Sequence, residues 1–301
     1  MTADGGEASV SPDEVPVSPV DSGAQVPVPG VRLPSGQAFL PETAGPLLRE
    51  RNVAIVILAG PANCGKSTLL TRVYHQLQFA PIEGMSFGGS ETLVDLERRC
   101  FLSRVESGRA TPDTERQKRP EGQTLLHLAI FDELGRHDLL FGDMAGEHFD
   151  DIADFAGEVT NQPALGRADT IAVVIDGERA ITAERWNIVA RAKMMLDGFR
   201  ASGSVRPANL QIITTKWDLI SAAGAGAVAL ASEAEREIAD AVRASGADPS
   251  VFRTAARSSN VAVPPGFGVG PLLKSWLIVR PRLATLSAAA DRSGPFDRFT
   301  G

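Results

Sequence analysis

The chain has 301 residues, 43% hydrophobic and 22% charged, an ordinary globular composition with enough apolar residues for one large domain or two small ones. A formal net charge of −7 gives no general attraction to nucleic acid or to anionic lipid. The two cysteines, Cys64 and Cys100, lack metal-ligand spacing and imply no disulfide framework, which suits a reducing cytosol. No secretory leader pattern is visible, and no run approaches the roughly 18 apolar residues of a membrane span, so a cytoplasmic location is expected.

Residues 1–46 hold eight of the 20 prolines, and proline removes backbone donors and fixes φ, so this stretch is expected to be a disordered tail. A single α/β domain is expected over 47–284, with an extended insertion at 79–122 and a C-terminal tail at 285–301. Val53–Leu58 is a continuous apolar run that suits a strand buried on both faces. A helix follows from Lys66 to Gln78. In the insertion, apolar residues at 93, 96, 100, 101 and 105 have helical spacing, with Ser90 as the expected N-cap. Residues 108–122 are polar and read as a loop. Gln123–Phe131 and Asp138–Phe141 read as a hairpin turning through Asp132–Arg136. Ile171–Ile175 is a buried strand, 183–199 a helix with Trp186, Val189, Ala190 and Met194 on one face, and Leu210–Thr214 another strand. Ala222–Ala231 is expected to be a connector, Glu233–Ala244 a helix, Ser250–Ala255 a last short strand, and Pro271–Val279 a closing helix. Strands alternating with helices predict a three-layer fold: a mostly parallel sheet with one antiparallel pair and helices on both faces.

Gly60-Pro-Ala-Asn-Cys-Gly-Lys-Ser67 lies between the first strand and the first long helix. This is the context a phosphate-binding loop requires. Gly60, Asn63, Cys64, Gly65, Lys66, Ser67 and Thr68 would wrap the phosphates with backbone N–H groups, at the positive end of a helix dipole. Lys66 would reach the β- and γ-phosphates and the Ser67 hydroxyl would ligate Mg²⁺. Asp143-x-x-Gly146 follows the hairpin's second strand, with Asp143 a candidate Mg²⁺ holder and the Gly146 N–H a candidate γ-phosphate donor. Thr215-Lys216-x-Asp218 follows a further strand. A carboxylate there accepts from the N1–H and 2-amino groups of guanine, whereas adenine would leave it unpaired.

These three motifs, in this order, resemble the translation-factor-like (Ras-like, TRAFAC) P-loop GTPases. The Gly-Pro loop, Phe87-Gly-Gly-Ser-x-Thr-Leu, Thr-Pro-x-Thr and Asp-Met-Ala-Gly-Glu147 are most similar to the bacterial double-GTPase (DO-GTPase) family. The resemblance covers 50 to about 283. It implies a GTP/GDP-binding, Mg²⁺-dependent, GTP-hydrolysing switch in bacterial signalling or conflict, working with a protein effector or a second GTPase. It also implies a switch threonine that joins the magnesium site, Thr114 first and Thr111 second, and a backbone contact to the base at Ala256. Where many relatives place a water-orienting Gln, this chain has Glu147 and then His148, either of which is a candidate to position water. Arg109 and Arg116 are candidate arginines acting in cis. Thr215 stands for the commoner Asn and is expected to weaken the tether to the phosphate loop. Asn63 resembles the residue that ligates K⁺ in potassium-stimulated GTPases; the alternative is an Asn tolerating a positive-φ turn. The alternatives to a GTPase are a guanine-nucleotide-binding module with negligible hydrolysis and a P-loop ATPase.

Overall fold

The architecture is set by β1, Val53–Ala59, in which every residue is buried. The structure is a computed structural model that describes residues 34–103, 124–143, 146–154, 164–202, 210–258 and 260–277. Odd positions of β1 (Val53, Ile55, Ile57, Ala59) enter one core and even positions (Ala54, Val56, Leu58) the other. That alternation is the period of a strand, and burial on both sides requires a layer of helices on each face.

The remaining elements follow in chain order. They are α1 (Gly45–Glu50, before β1), α2 (Lys66–Phe79), β2 (Ser86–Gly89), α3 (Leu93–Ser103), β3 (Thr124–Asp132), β4 (Gly135–Asp143) and α4 (Gly146–Asp154). Then come β5 (Thr170–Ile175), α5 (Gly177–Ala180), α6 (Arg185–Ser202), β6 (Leu210–Thr214), α7 (Trp217–Ala222), α8 (Ala225–Arg243), β7 (Ser250–Arg253) and α9 (Val269–Trp276). The sheet order is β2-β3-β4-β1-β5-β6-β7. From β4 to β7 all neighbours are parallel, while β3 runs antiparallel to both β4 and β2. Helices α6 and α8, with Phe149 and Ile152 of α4, cover one face. Helices α2, α3 and α9 cover the other. The expected three-layer fold is therefore present.

Several elements depart from the expectations. The described part of the expected tail, residues 34–46, packs on the domain, with Phe39 bridged to Leu125 and Ala44 fully buried. Strand β2 was not anticipated: it is a short, Gly-rich edge with no apolar periodicity, and a Cβ at Gly88 would stand 3.1 Å from the Ala129 backbone. Helix α4 was also missed: its stretch is largely acidic, with Phe149 and Ile152 as buried apolar positions among the described side chains. The expected connector at 222–231 is the first half of α8. Alanine is the best helix former, and the break falls earlier, at Gly224 with φ 91°. In α6 the buried stripe is Ile188, Val189, Ala192, Met195, Leu196 and Phe199. Trp186, Ala190 and Met194 form a shorter competing stripe that stays exposed, with the Arg185 guanidinium over the Trp186 ring. Ser90 does not cap α3. Its hydroxyl accepts from the Thr92 N–H and donates to the His127 carbonyl, and the helix starts at Leu93.

That last contact belongs to a buried polar knot between the insertion and the hairpin. His127, fully buried in β3, accepts the Glu91 N–H on Nδ1 (2.9 Å) and meets the Asp138 carboxylate through Nε2 (2.9 Å). An acceptor at Nδ1 and a donor at Nε2 define a neutral ring. Burial is the largest influence on this imidazole and holds its pKa below the ordinary value, against the opposing pull of Asp138. Burial pushes the Asp138 carboxyl upward, but the bonds from Arg136 and His127 outweigh it and leave the group below its usual range. An unfolded His127 takes up a proton below its ordinary pKa of about 6.5 while the folded ring does not, so its contribution to stability is whole above that pH and is lost as pH falls through the folded value. Replacing it with Gln should cost about 1–3 kcal/mol near neutral pH, the usual penalty for orphaned buried partners. Urea melts at stepped pH check this. The gap between wild type and His127→Gln should shrink on acidification, and a gap that is constant from neutral to acidic pH would contradict it.

Candidate functional site

The parallel strands place their carboxyl ends on one rim, and each polar motif leaves the sheet there. After β1 the chain turns at Gly60, where a Cβ would lie 2.7 Å from the Val174 carbonyl and 3.0 Å from the Cys64 sulfur. Gly65 is left-handed at φ 98° and forms the N-cap of α2 without a side-chain cap, so the first N–H groups of a 14-residue helix face the loop. Asn63 is also left-handed at φ 64°, which accords with the turn reading of that residue. The Lys66 ammonium is nearly buried, donating to the carbonyls of Gly60 (2.6 Å) and Pro61 (2.7 Å), 5.7 Å from the centre of the Phe149 ring. Ser67 and Thr68 lie in the first turn of α2, half-buried. Cys64 is fully buried, and burial pushes its thiol pKa up despite the nearby Lys66, so it is a packed and unreactive residue.

The hairpin delivers the second motif to the same rim. Ile57 of β1 pairs with Gly142 of β4, so Asp143 ends β4 level with the start of the phosphate loop. Gly146 begins α4 against that loop: a Cβ there would stand 2.2 Å from the Ala62 nitrogen and 2.7 Å from the Pro61 carbonyl carbon. Only glycine fits this approach. Glu147 and His148 fall in the first turn of α4. Thr111, Thr114, Arg109 and Arg116 lie outside the described residues. Between Pro61, Phe149, β5 and α6 is a cavity of about 360 Å³.

The third motif reaches the rim through β6. The Thr215 hydroxyl lies 2.7 Å from the Cys64 carbonyl and 3.1 Å from the Ile175 carbonyl, and the Thr215 N–H donates to Ile175. Thr215, standing for the commoner Asn, thus reaches the phosphate loop directly through its hydroxyl. Lys216 has φ 52°, and its ammonium pairs with Asp176 (3.0 Å) and Glu178 (2.9 Å). Burial would lower the Lys216 pKa, but those two carboxylates outweigh it and raise it. Asp218 is 7% exposed, and its Oδ1 is buried with no hydrogen-bond partner. At the exit of β7 the Ala255 N–H donates to Phe267, while Ala256, the next residue, is half-buried beside it. The Thr254 hydroxyl is buried there, also without a partner.

Asp176 escaped the motif reading. It follows β5, accepts the Glu178 and Arg179 N–H groups as the N-cap of α5, and holds Lys216. A carboxylate immediately after a buried strand was the available signal. Phe149, over Lys66, had none, because its helix was not recognised.

The site therefore brings a glycine-lined anion cradle, a lysine and a buried unpaired carboxylate to one rim. No curated protein matches the chain. One similar solved structure is the RocCORdC region of Roco2 from Methanosarcina barkeri bound to GDP, at 16% identity and a TM-score of 0.37. The match covers 76% of this chain and spans only 50% of that one, too distant a likeness to bear on function. The family model Double-GTPase 2 matches residues 53–277, from the first residue of β1 to the residue after α9, and the chain belongs to that family.

Proposed function

We propose that the chain binds GTP with Mg²⁺ and hydrolyses it to GDP and phosphate, as a molecular switch in bacterial signalling or conflict. The observation that carries the reading is Asp218. A buried carboxylate oxygen without a partner is costly. The N1–H and 2-amino groups of guanine satisfy a carboxylate at that place, and adenine offers no such pair. This argues against the ATPase alternative.

The residues present suit the nucleotide and its metal. A Cβ at Gly60, Gly65 or Gly146 would meet neighbouring atoms at 2.7, 3.3 and 2.2 Å, so glycine at these positions keeps the loop backbone bare for an anion. Lys66 would exchange the carbonyls of Gly60 and Pro61 for phosphate oxygens, a better match for a buried ammonium. Ser67 and Asp143 would hold Mg²⁺, with Thr114 or Thr111 joining them. When bound, the metal neutralises charge on the phosphates. The Gly146 N–H would donate to the γ-phosphate, and Glu147 or His148 would orient the attacking water. Asn63, exposed on the loop, is the position at which K⁺ would act. The partner read from family resemblance is a protein effector or a second GTPase, in the cytoplasm. Among the described residues, no helix is long and apolar enough to cross a membrane.

Glu147 favours a second reading, a guanine-nucleotide-binding module with negligible turnover, because a carboxylate near the γ-phosphate is repelled unless protonated or turned away. Single-turnover phosphate release separates the two. Wild type should release phosphate above a Lys66→Ala control, and equal traces would leave only binding. Competition against labelled GDP tests the base: GTP should displace it and ATP should not. Asp218→Ala should weaken GDP by at least about tenfold, given about 1.5–3 kcal/mol for a hydrogen bond to a charged group. Equal displacement by ATP would overturn guanine selectivity. Gly146→Ala must push α4 from the loop, so phosphate release should fall further than GDP affinity. Wild-type turnover in that variant would show the contact to be dispensable.

A further inference from the structure

The turn that carries Asp218 is held from behind by side chains that no nucleotide motif contains. Trp217, between Lys216 and Asp218, is nearly buried and packs with Ile220, Ala231, Ala255 and Val263. Its N–H donates to the Thr254 carbonyl (3.0 Å), so the turn is already joined to the exit of β7. The Arg253 guanidinium, from the last residue of β7, sits 4.3 Å from the centre of the Trp217 ring. Arg253 is itself held: Nη2 donates to Glu235 Oε2 (2.7 Å) and to the Ser232 hydroxyl (3.0 Å), and Nε donates to Glu235 Oε1 (3.1 Å). Glu235, on α8, is only 4% exposed, and its Oε1 also accepts from the Thr214 hydroxyl at 2.7 Å. Thr214 is the residue from which the turn departs. One buried carboxylate thus joins the end of β6, the end of β7 and the cation on Trp217.

We propose that Arg253, held by Glu235, is a positioning residue that sets the base-reading turn through Trp217 and so tunes the affinity and selectivity for guanine. The proposal rests on the guanine reading of Asp218. Its physical basis is geometric. A planar guanidinium that donates to both oxygens of one carboxylate has little freedom, and the indole on its face inherits that restraint. Asp218 follows Trp217 directly, so a tilt of the indole moves the carboxylate. Lysine at 253 keeps the charge but loses the forked grip and the flat stacking surface. Glutamine at 235 keeps an acceptor for Thr214 but loses the charge that pairs Arg253.

The test compares GDP with inosine diphosphate, which lacks the 2-amino group, in wild type, Arg253→Lys and Glu235→Gln, with inorganic tripolyphosphate as a probe of the phosphate loop alone. Both variants should narrow the GDP-to-inosine-diphosphate ratio by at least about fivefold, roughly 1 kcal/mol on the binding scale. Tripolyphosphate affinity should stay unchanged. A ratio kept within about twofold in both variants, even with a lower melting temperature, would mean the clamp serves stability alone. A parallel loss of tripolyphosphate affinity would also overturn the proposal, because the damage would then be general. If either variant fails to fold, the other decides. If wild type itself binds ADP as well as GDP, the guanine reading has failed instead, and that measurement is independent of the variants.

Discussion

The two-sided burial of the parallel strands is the constraint from which the site follows. Along β1, β5 and β6 nearly every side chain is in one core or the other, and the backbone groups are paired with neighbouring strands. Polar chemistry has no place inside such a layer. It collects where the strands stop, and parallel pairing makes them stop on the same side. Asp143 is the last residue of β4, and Gly60, Asp176, Thr215 and Thr254 each directly follow the last residue of a strand. The site is the rim of the sheet made polar.

Close approach then ties these exits together. The Cys64 carbonyl and the Thr215 hydroxyl join the phosphate loop to the turn after β6, and Gly65 lies against the same threonine. Gly146 brings the start of α4 onto the Pro61–Ala62 backbone from the other side. The loop is thus gripped between two segments, and the contact of α4 with Ala62 has no slack. Under the proposed function one segment would face the base and the other the terminal phosphate, the arrangement that a switch triggered by one phosphate group needs.

Much of this was legible in the sequence because local chemistry and topology agree. The phosphate loop has a continuous apolar strand on one side and a helix on the other, and nothing competes with that reading. The order of the central strands, the hairpin, Asp143 at the end of β4 and Asp218 in the turn beyond β6 followed from pattern alone. What was not legible depended on tertiary contacts. Strand β2 has no side-chain period to reveal, and β3 alone supplies its pairing. The exposed stripe on α6 is a genuine helical stripe, but a larger one on another side of the helix wins the core. The start of α8 looked like a linker because alanine and glycine occur in both, and only its seat against the sheet decides. The contact of the Thr215 hydroxyl with the Cys64 carbonyl depends on distance, which no motif encodes.

The unpaired atoms of the base side complete the argument about function. Buried polar groups in folded proteins find partners almost without exception, so those that do not need a cause. Asp218 Oδ1 and the Thr254 hydroxyl have no hydrogen-bond partner, and both belong to the segments that the Trp217 N–H joins to one another. Arg72 Nε and Gln76 Oε1 on α2 are also buried without a partner, but two other buried carboxylates are well matched: Asp138 by His127, Arg136 and Arg51, and Glu235 by Arg253 and Thr214. Under the proposed guanine reading, the open acceptor at Asp218 is kept for a donor from outside. The cost of leaving it open would be removed by a base that carries the donors and not by one without them. The proposed selectivity would then arise from an unmet hydrogen bond in the free protein as much as from any contact in the complex.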